Sequence, residues 1–179
     1  QAQPSQRMPR LCFLTFDPGT PGTLQSTRYS TFFEGLRDLG YVQGQTIIID
    51  YLTVDGQAER YSALAAECVR LGADVIVTTT TPATEAAKKA TRTIPIVMLS
   101  LGDPVGTGLV DSLARPGGNV TGLSSMSPSL ATKRLELLKD LVPQISRVLV
   151  LTYSVDPVAA PQVKALEETA RSLGIKLQI

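Results

Sequence analysis

Histidine and tryptophan are both absent from this 179-residue sequence. Without histidine, the chain can form neither a Ser-His or Cys-His nucleophile nor a histidine-liganded zinc site. Aromatic residues make up 5% of the chain, too few for a platform on which nucleic-acid bases stack. Charge is balanced, because 17 Lys and Arg against 16 Asp and Glu give a net charge of +1. The sequence therefore lacks the basic footprint of a nucleic-acid-binding protein.

Cysteine is rare as well, with Cys12 in a predicted strand and Cys68 in a predicted helix. Strand and helix interiors usually lie too far apart for a disulfide, so the pattern favours two free, buried cysteines. No apolar run approaches the length of a membrane span. Residues 1–10 are polar and aperiodic, as in a mature N-terminus left by signal cleavage, with a cloned or frayed tail as the alternative.

Short apolar runs alternate along the chain with segments of helical periodicity. Hydrophobic residues make up 43% of the sequence, enough for one good core and part of a second. The runs predict strands at 11–16, 46–54, 74–77, 94–99, 119–123, 147–152 and 175–179. The periodic segments predict helices at 29–39, 61–71, 83–91, 128–141 and 158–173.

Three of these helices end in the same Leu-Gly pair, at Gly40, Gly72 and Gly174, where glycine can adopt a left-handed cap. A repeated strand–helix unit predicts an α/β fold with a parallel sheet, doubly wound and Rossmann-like. We expect a first lobe at 11–125 and the incomplete start of a second at 126–179, after a polar tail. Two strands and two helices are too few for an independent domain, so the chain is expected to be a fragment or to be completed by a partner.

Three familiar catalytic or nucleotide-binding motifs are incomplete or absent in this sequence. Residues 117–124, GGNVTGLS, have the glycine spacing of a phosphate loop, but Leu123 stands where lysine is required. The pair Gly106 and Gly108 lacks the third glycine of a dinucleotide fingerprint. No G-x-S-x-G elbow occurs. These motifs give no support to catalysis.

Small polar residues instead gather where predicted strands end, the edge at which parallel sheets bind ligands. Asp-Pro follows three strands, at Asp17, Asp103 and Asp156. Each aspartate can be a helix cap or a carboxylate that pairs with a ligand ammonium. Thr78–Thr81 can likewise be a strand end and cap, or a receptor for a carboxylate. Ser124, after the fifth strand, can be part of a hinge or a ligand contact.

The chain resembles a bacterial family, the substrate-binding proteins of ABC transporters, which includes tryptophan- and tyrosine-type binding proteins. The resemblance extends over nearly the whole chain from Arg10 onward. Its segments are LGYVQGQT (39–46), TPATEAAKKATRTIPIVM (81–98), GDPVGTGLVDSLARPGGNVTG (102–122) and KRLELLKDLVP (133–143).

This resemblance implies a type I periplasmic-binding fold in which two lobes close on a small amino-acid-like or aromatic ligand. It implies no cofactor, no metal and no catalytic residue. The partners would be an ABC permease and its ATPase, and the protein would be periplasmic or lipid-anchored after signal removal. The incomplete second lobe also predicts pairing with another copy of the chain. The ligand contacts implied for this sequence are Phe16, Asp17, Thr80, Thr81, Thr84, Asp103, Ser124, Tyr153 and Ser154.

Two other function classes share this architecture. One is the ligand-sensing effector domain of a transcription regulator, which requires a helix-turn-helix ahead of the first strand. The ten polar residues there are too few to form one. The other is a small α/β enzyme, which would have to rely on an unassisted aspartate or on a metal held by carboxylates and water.

Overall fold

The computed structural model describes residues 7–16, 29–125, 127–152 and 158–179, in which strands and helices alternate except that β5 follows β4 without a helix between them. The strands are β1 (Arg10–Thr15), β2 (Ile48–Thr53), β3 (Val75–Thr78), β4 (Ile96–Leu101), β5 (Val120–Ser124), β6 (Arg147–Leu149) and β7 (Lys176–Gln178). The α-helices are α1 (Ser30–Asp38), α2 (Tyr61–Arg70), α3 (Thr81–Ala90), α4 (Ser127–Leu141) and α5 (Ala159–Ser172).

All the strand pairs in these ranges are parallel, which confirms the predicted α/β class. Five strands form one sheet in the order β2-β1-β3-β4-β5, and β6 pairs with β7 in a second sheet. The chain first runs outward from β1 to β2 and then returns to β3 on the other side of β1. In a doubly wound sheet such a switch point opens a crevice at the carboxyl ends of the strands. Here it lies between β1 and β3.

The side chains of β1 alternate between the two faces of the larger sheet, as strand geometry requires. Leu11 and Phe13 pack in one buried cluster with Phe33 of α1. Cys12 and Leu14 point to the opposite face, where α2 and α3 lie. Both faces of β1 are therefore buried, in agreement with the unbroken apolar run from which the strand was predicted.

The prediction of free cysteines is wrong, because Cys12 of β1 and Cys68 of α2 form a disulfide. Their Cα atoms are 5.7 Å apart, within the range that a disulfide spans. Ala65 lies one turn earlier on α2 and is completely buried. A small side chain at this position lets the helix approach β1 closely, which the separate strand and helix patterns could not reveal.

The three Leu-Gly helix ends adopt the predicted left-handed conformation. The φ angles of Gly40, Gly72 and Gly174 are 88°, 69° and 66°, a region that side chains disfavour. Each glycine therefore ends a helix and turns the chain back toward the next strand. The periodic segments thus predicted the helix ends correctly to within a residue or two.

The two-stranded sheet carries its own small core. α4 and α5 pack against β6 and β7 through a buried cluster of Ala131, Leu135, Leu166, Ala170 and Ile175. Within the described ranges, no helix combines the length and the apolar character that crossing a membrane requires.

Candidate functional site

The first turn of α3 lies at the carboxyl end of β3, beside the switch point. Thr80 caps this helix in an extended conformation, and its hydroxyl accepts a hydrogen bond from the Ala83 amide at 3.3 Å. The cap was predicted one residue later, at Thr81; Pro82 is instead the second residue of the helix. Hydroxyl-capped helix starts of this kind direct backbone N–H groups and a partial positive charge toward the crevice.

Threonine hydroxyls from β1, β3, α3 and the turn between β3 and α3 join in a hydrogen-bonded network at this edge. Thr79 donates to Thr15 at the end of β1, at 3.0 Å. The Thr84 hydroxyl donates to the Thr80 carbonyl at 2.9 Å and lies 2.7 Å from the Thr78 hydroxyl. These bonds link β1, β3 and α3 at the switch point of the sheet. The rim of the crevice is therefore held in place before a ligand binds.

Tyr61 of α2 forms a hydrogen bond with Thr80 at the same rim. Thr80 donates to the Tyr61 hydroxyl at 3.0 Å, and the tyrosine side chain is only 2% exposed. A buried phenol needs a polar partner, and here that partner is the residue that caps α3. Tyr61 therefore positions Thr80 without reaching the crevice itself.

Asp103 follows β4 in a tight turn on the neighbouring part of the rim. One carboxylate oxygen, Oδ1, accepts from the Gly106 amide at 2.8 Å, and the Thr107 hydroxyl donates to the Asp103 carbonyl at 2.7 Å. The side chain is half-buried. The predicted helix cap is wrong here, because no helix lies between β4 and β5 and Asp103 caps a turn instead. Its second oxygen has no hydrogen bond among the described residues beyond that turn.

The connection between β4 and β5, residues 102–119, is hydrogen-bonded to α3 at the end of the helix that lies away from Thr80. Lys88 donates to the carbonyls of Gly108 and Leu109 at 2.8 and 2.9 Å. Asn119 donates from its side chain to the Ile94 carbonyl at 2.8 Å. A groove of about 790 Å³ opens beside Lys88 and Asn119. It lies at the C-terminal end of α3, remote from Thr80, and so does not belong to the crevice at the strand ends.

Ser124 ends β5 directly before the connection to α4. Its hydroxyl lies 3.4 Å from the Gly102 carbonyl, so the ends of β4 and β5 are in contact. The side chain is half-buried. Its position fits the hinge interpretation and leaves the hydroxyl at the rim.

The structure places the sequence-predicted contacts at different depths. Phe16, 36% exposed, follows β1 at the crevice edge. Thr81 and Thr84 lie beneath the surface, 5% and 0% exposed, which suits support of the rim rather than contact with a ligand. Thr80, Asp103 and Ser124 are half-buried at the carboxyl edge of the sheet. The predicted residues Asp17, Tyr153 and Ser154 lie outside the described residues.

Sequence reasoning assigned Thr15 and Tyr61 to the core and missed their part in the rim. Both stand in apolar patterns, and both are buried. Only the adjacency of β1 and β3 brings Thr15 to Thr79, and only the packing of α2 beside α3 brings Tyr61 to Thr80. The run of four threonines from Thr78 was the one sequence signal that pointed to this network.

The rim described so far offers the positive end of α3 with the Thr81 amide, and the Asp103 carboxylate; the hydroxyls of Thr79, Thr80 and Thr84 donate within the network. Such a set matches a ligand that carries a carboxylate and an ammonium group. Among the described residues, no group of three or more cysteine or acidic side chains is placed to hold a metal ion.

Comparison with known proteins shows the family to which the chain belongs. The sequence profile of the family described as "ABC transporter substrate binding protein" matches residues 22–179. A tyrosine-binding protein of Clostridioides difficile (strain R20291) is 36% identical over 140 residues, which cover 78% of this chain and 40% of that protein. The chain therefore spans less than half the length of that relative.

Two solved structures extend the similarity to three dimensions. An ABC domain in complex with L-Trp from Streptococcus pneumonia is 29% identical, with a TM-score of 0.80 over 96% of this chain and 56% of that one. A ligand-free, open substrate-binding protein with adhesive properties from Clostridium difficile is also 29% identical, with a TM-score of 0.64 over 95% of this chain and 56% of the other. At equal identity, the chain superposes more closely on the ligand-bound structure than on the open one.

Proposed function

This chain belongs to the ABC transporter substrate-binding protein family, and we propose that it is part of the receptor that captures a small amino-acid-like or aromatic ligand for an ABC importer. Its doubly wound parallel sheet is that of a type I periplasmic-binding lobe, and similar chains extend to about twice its length. In this proposal residues 11–125 form the first lobe and 126–179 begin the second. The hydroxyl-lined rim at the β1–β3 switch point is the observation that carries it.

The ligand class follows from the groups at the rim. The positive end of α3 and its first amide, that of Thr81, favour a carboxylate, whereas the Thr80 hydroxyl is already donated to Tyr61. The Asp103 carboxylate favours an ammonium group. A free amino acid presents both groups on one carbon, and the exposed ring of Phe16 adds an apolar surface for its side chain. The relatives named for tyrosine and bound to L-Trp support an aromatic amino acid as the first candidate.

Partners and location follow from family membership. We propose an ABC permease and its ATPase as the partners, and a site of action outside the cytoplasm, either periplasmic or lipid-anchored. The buried Cys12–Cys68 disulfide supports that location, because disulfides form and persist in oxidising compartments. The proposed role is binding rather than catalysis. The pairing of two copies stays a prediction.

Calorimetric titration of the full-length protein with L-tyrosine and L-tryptophan tests the proposed function. We expect saturable binding of at least one of them, because closure of two lobes around the ligand adds contacts that the open state lacks. L-glutamate and D-ribose are the controls, since an acidic side chain or a sugar lacks the aromatic surface. Absence of heat and of a thermal shift with every amino acid of a full panel would rule the proposal out.

Asp103 can be tested apart from its role as a cap. Asp103→Asn removes the charge but keeps an oxygen that can accept from the Gly106 amide, whereas Asp103→Ala removes both. If the carboxylate pairs with the ligand ammonium, Asp103→Asn should weaken binding by about 1.5–3 kcal/mol, the value of a charged hydrogen bond. Titration of both variants separates the roles. Wild-type affinity in Asp103→Asn would leave Asp103 as a cap alone.

A further inference from the structure

Val158, at the start of α5, is buried without belonging to the core of its own unit. The side chain is 7% exposed. The cluster that α4 and α5 form with β6 and β7, as far as the structure describes it, does not include Val158. One of its described neighbours lies in the other unit.

That neighbour is Gly102, which follows β4 on the rim of the larger sheet. A β-carbon on Gly102 would lie 3.2 Å from each γ-methyl of Val158, tighter than ordinary contact between carbon atoms. The side chain of Val158 thus lies directly on the backbone of Gly102. This contact joins the five-stranded unit to the two-stranded unit, beside Asp103 and Ser124.

The surface that receives Val158 is firmly held. Ser124 contacts the Gly102 carbonyl from the end of β5. Asp103, the next residue, is fastened to Gly106 and Thr107, and Lys88 fastens the rest of the connection between β4 and β5. A surface held in this way cannot recede when a larger group is pressed against it, because packed interiors yield little.

We propose that Val158 is a positioning residue, which rests on Gly102 and sets how closely the two units approach in the closed, ligand-bound state. The inference depends on the proposed function, in which a ligand is held between the units. It is supported by the closer superposition of this chain on the tryptophan complex than on the open relative. Gly102 is required because any side chain there would occupy the space of the valine methyls.

Gly102→Ala is the direct test, and Gly118→Ala is its matched control. Neither glycine has a φ angle in the left-handed region, so alanine suits both backbones, and a β-carbon on Gly118 would meet nothing within 4 Å. We expect Gly102→Ala to weaken binding of L-tyrosine or L-tryptophan by about tenfold, since one methyl group too many must hold the units apart. Gly118→Ala should bind as the wild type does.

The double variant Gly102→Ala/Val158→Ala tests whether Val158 is the residue that the new β-carbon meets. Removing the valine methyls makes room for the new β-carbon, so affinity should return to within about threefold of the wild type. Val158→Leu enlarges the same contact from the helix side and should weaken binding even if Gly102→Ala does not fold. Equal affinity of Gly102→Ala and Gly118→Ala, or no recovery in the double variant, would overturn the inference.

Thermal unfolding of the ligand-free protein separates failure of this inference from failure of the proposed function. If the wild type binds neither amino acid, the proposed ligand class fails, but the contact between the units can still be measured. Gly102→Ala should unfold at a lower temperature than Gly118→Ala, and the double variant with Val158→Ala should lose less than the sum of its two single variants, because the new β-carbon meets the valine methyls. Equal unfolding temperatures of Gly102→Ala and Gly118→Ala would refute the contact.

Discussion

Replacement of both Cys12 and Cys68 by alanine is expected to lower the free energy of unfolding by about 4 kcal/mol, the chain-entropy value for a crosslink of this span. The two residues are 56 positions apart, so the disulfide closes a large loop of the unfolded chain. Both sulfur atoms are completely buried, and the bond joins α2 to β1 beneath the rim. Urea denaturation of the oxidised wild type and of the variant measures the difference.

Reduction provides the control for this experiment. Dithiothreitol should destabilise the wild type by a similar amount and leave the double alanine variant unchanged, because the variant has no bond to lose. Thiol titration should find no reactive thiol in the folded, oxidised protein and two after reduction and unfolding. Equal stability of wild type and variant in oxidising buffer would show that the disulfide does not stabilise the packing of α2 on β1.

Phe13→Ala is expected to lower the free energy of unfolding by about 3–5 kcal/mol, as for other fully buried aromatic side chains. Phe13 is the centre of the aromatic cluster on the α1 face of the sheet. Its ring lies 5.1–5.6 Å, centre to centre, from the rings of four neighbours, and its side chain is 0% exposed. These neighbours are Tyr29, Phe32, Phe33 and Tyr51. Removal leaves a cavity that the stiff sheet cannot close.

Phe16→Ala is the matched control, because it makes the same substitution just beyond the end of the same strand. Phe16 is 36% exposed, so its loss should cost less than about 1 kcal/mol. Because both variants replace phenylalanine by alanine, the difference between their free energies of unfolding measures the effect of burial. A difference of less than about 1 kcal/mol between the two variants would contradict the assignment of Phe13 to the centre of the core.

The candidate site was predicted in part. Asp103 and Ser124 were expected at strand ends, and the structure places them there because a parallel sheet brings all its carboxyl ends to one edge. The sequence offered Asp103 as a cap or as a ligand contact. The structure shows it capping a turn through Gly106 and not a helix, while the ligand contact stays a prediction. Thr84 was expected at the ligand, yet it lies fully buried under Thr80, since helical geometry turns it inward.

The spacing of residues along the chain was enough to predict the strands and helices and the parallel direction of the strands. The apolar run of β1, the periodicity of α2 and the Leu-Gly ends are local properties, and local properties can be read along a chain. Distances between residues far apart in the sequence were decided by tertiary packing. The disulfide between Cys12 and Cys68, the bond from Tyr61 to Thr80 and the contact of Val158 with Gly102 all depend on which helix lies over which strand. The free energy that selects this arrangement comes from packing of the whole core, and no short segment encodes it.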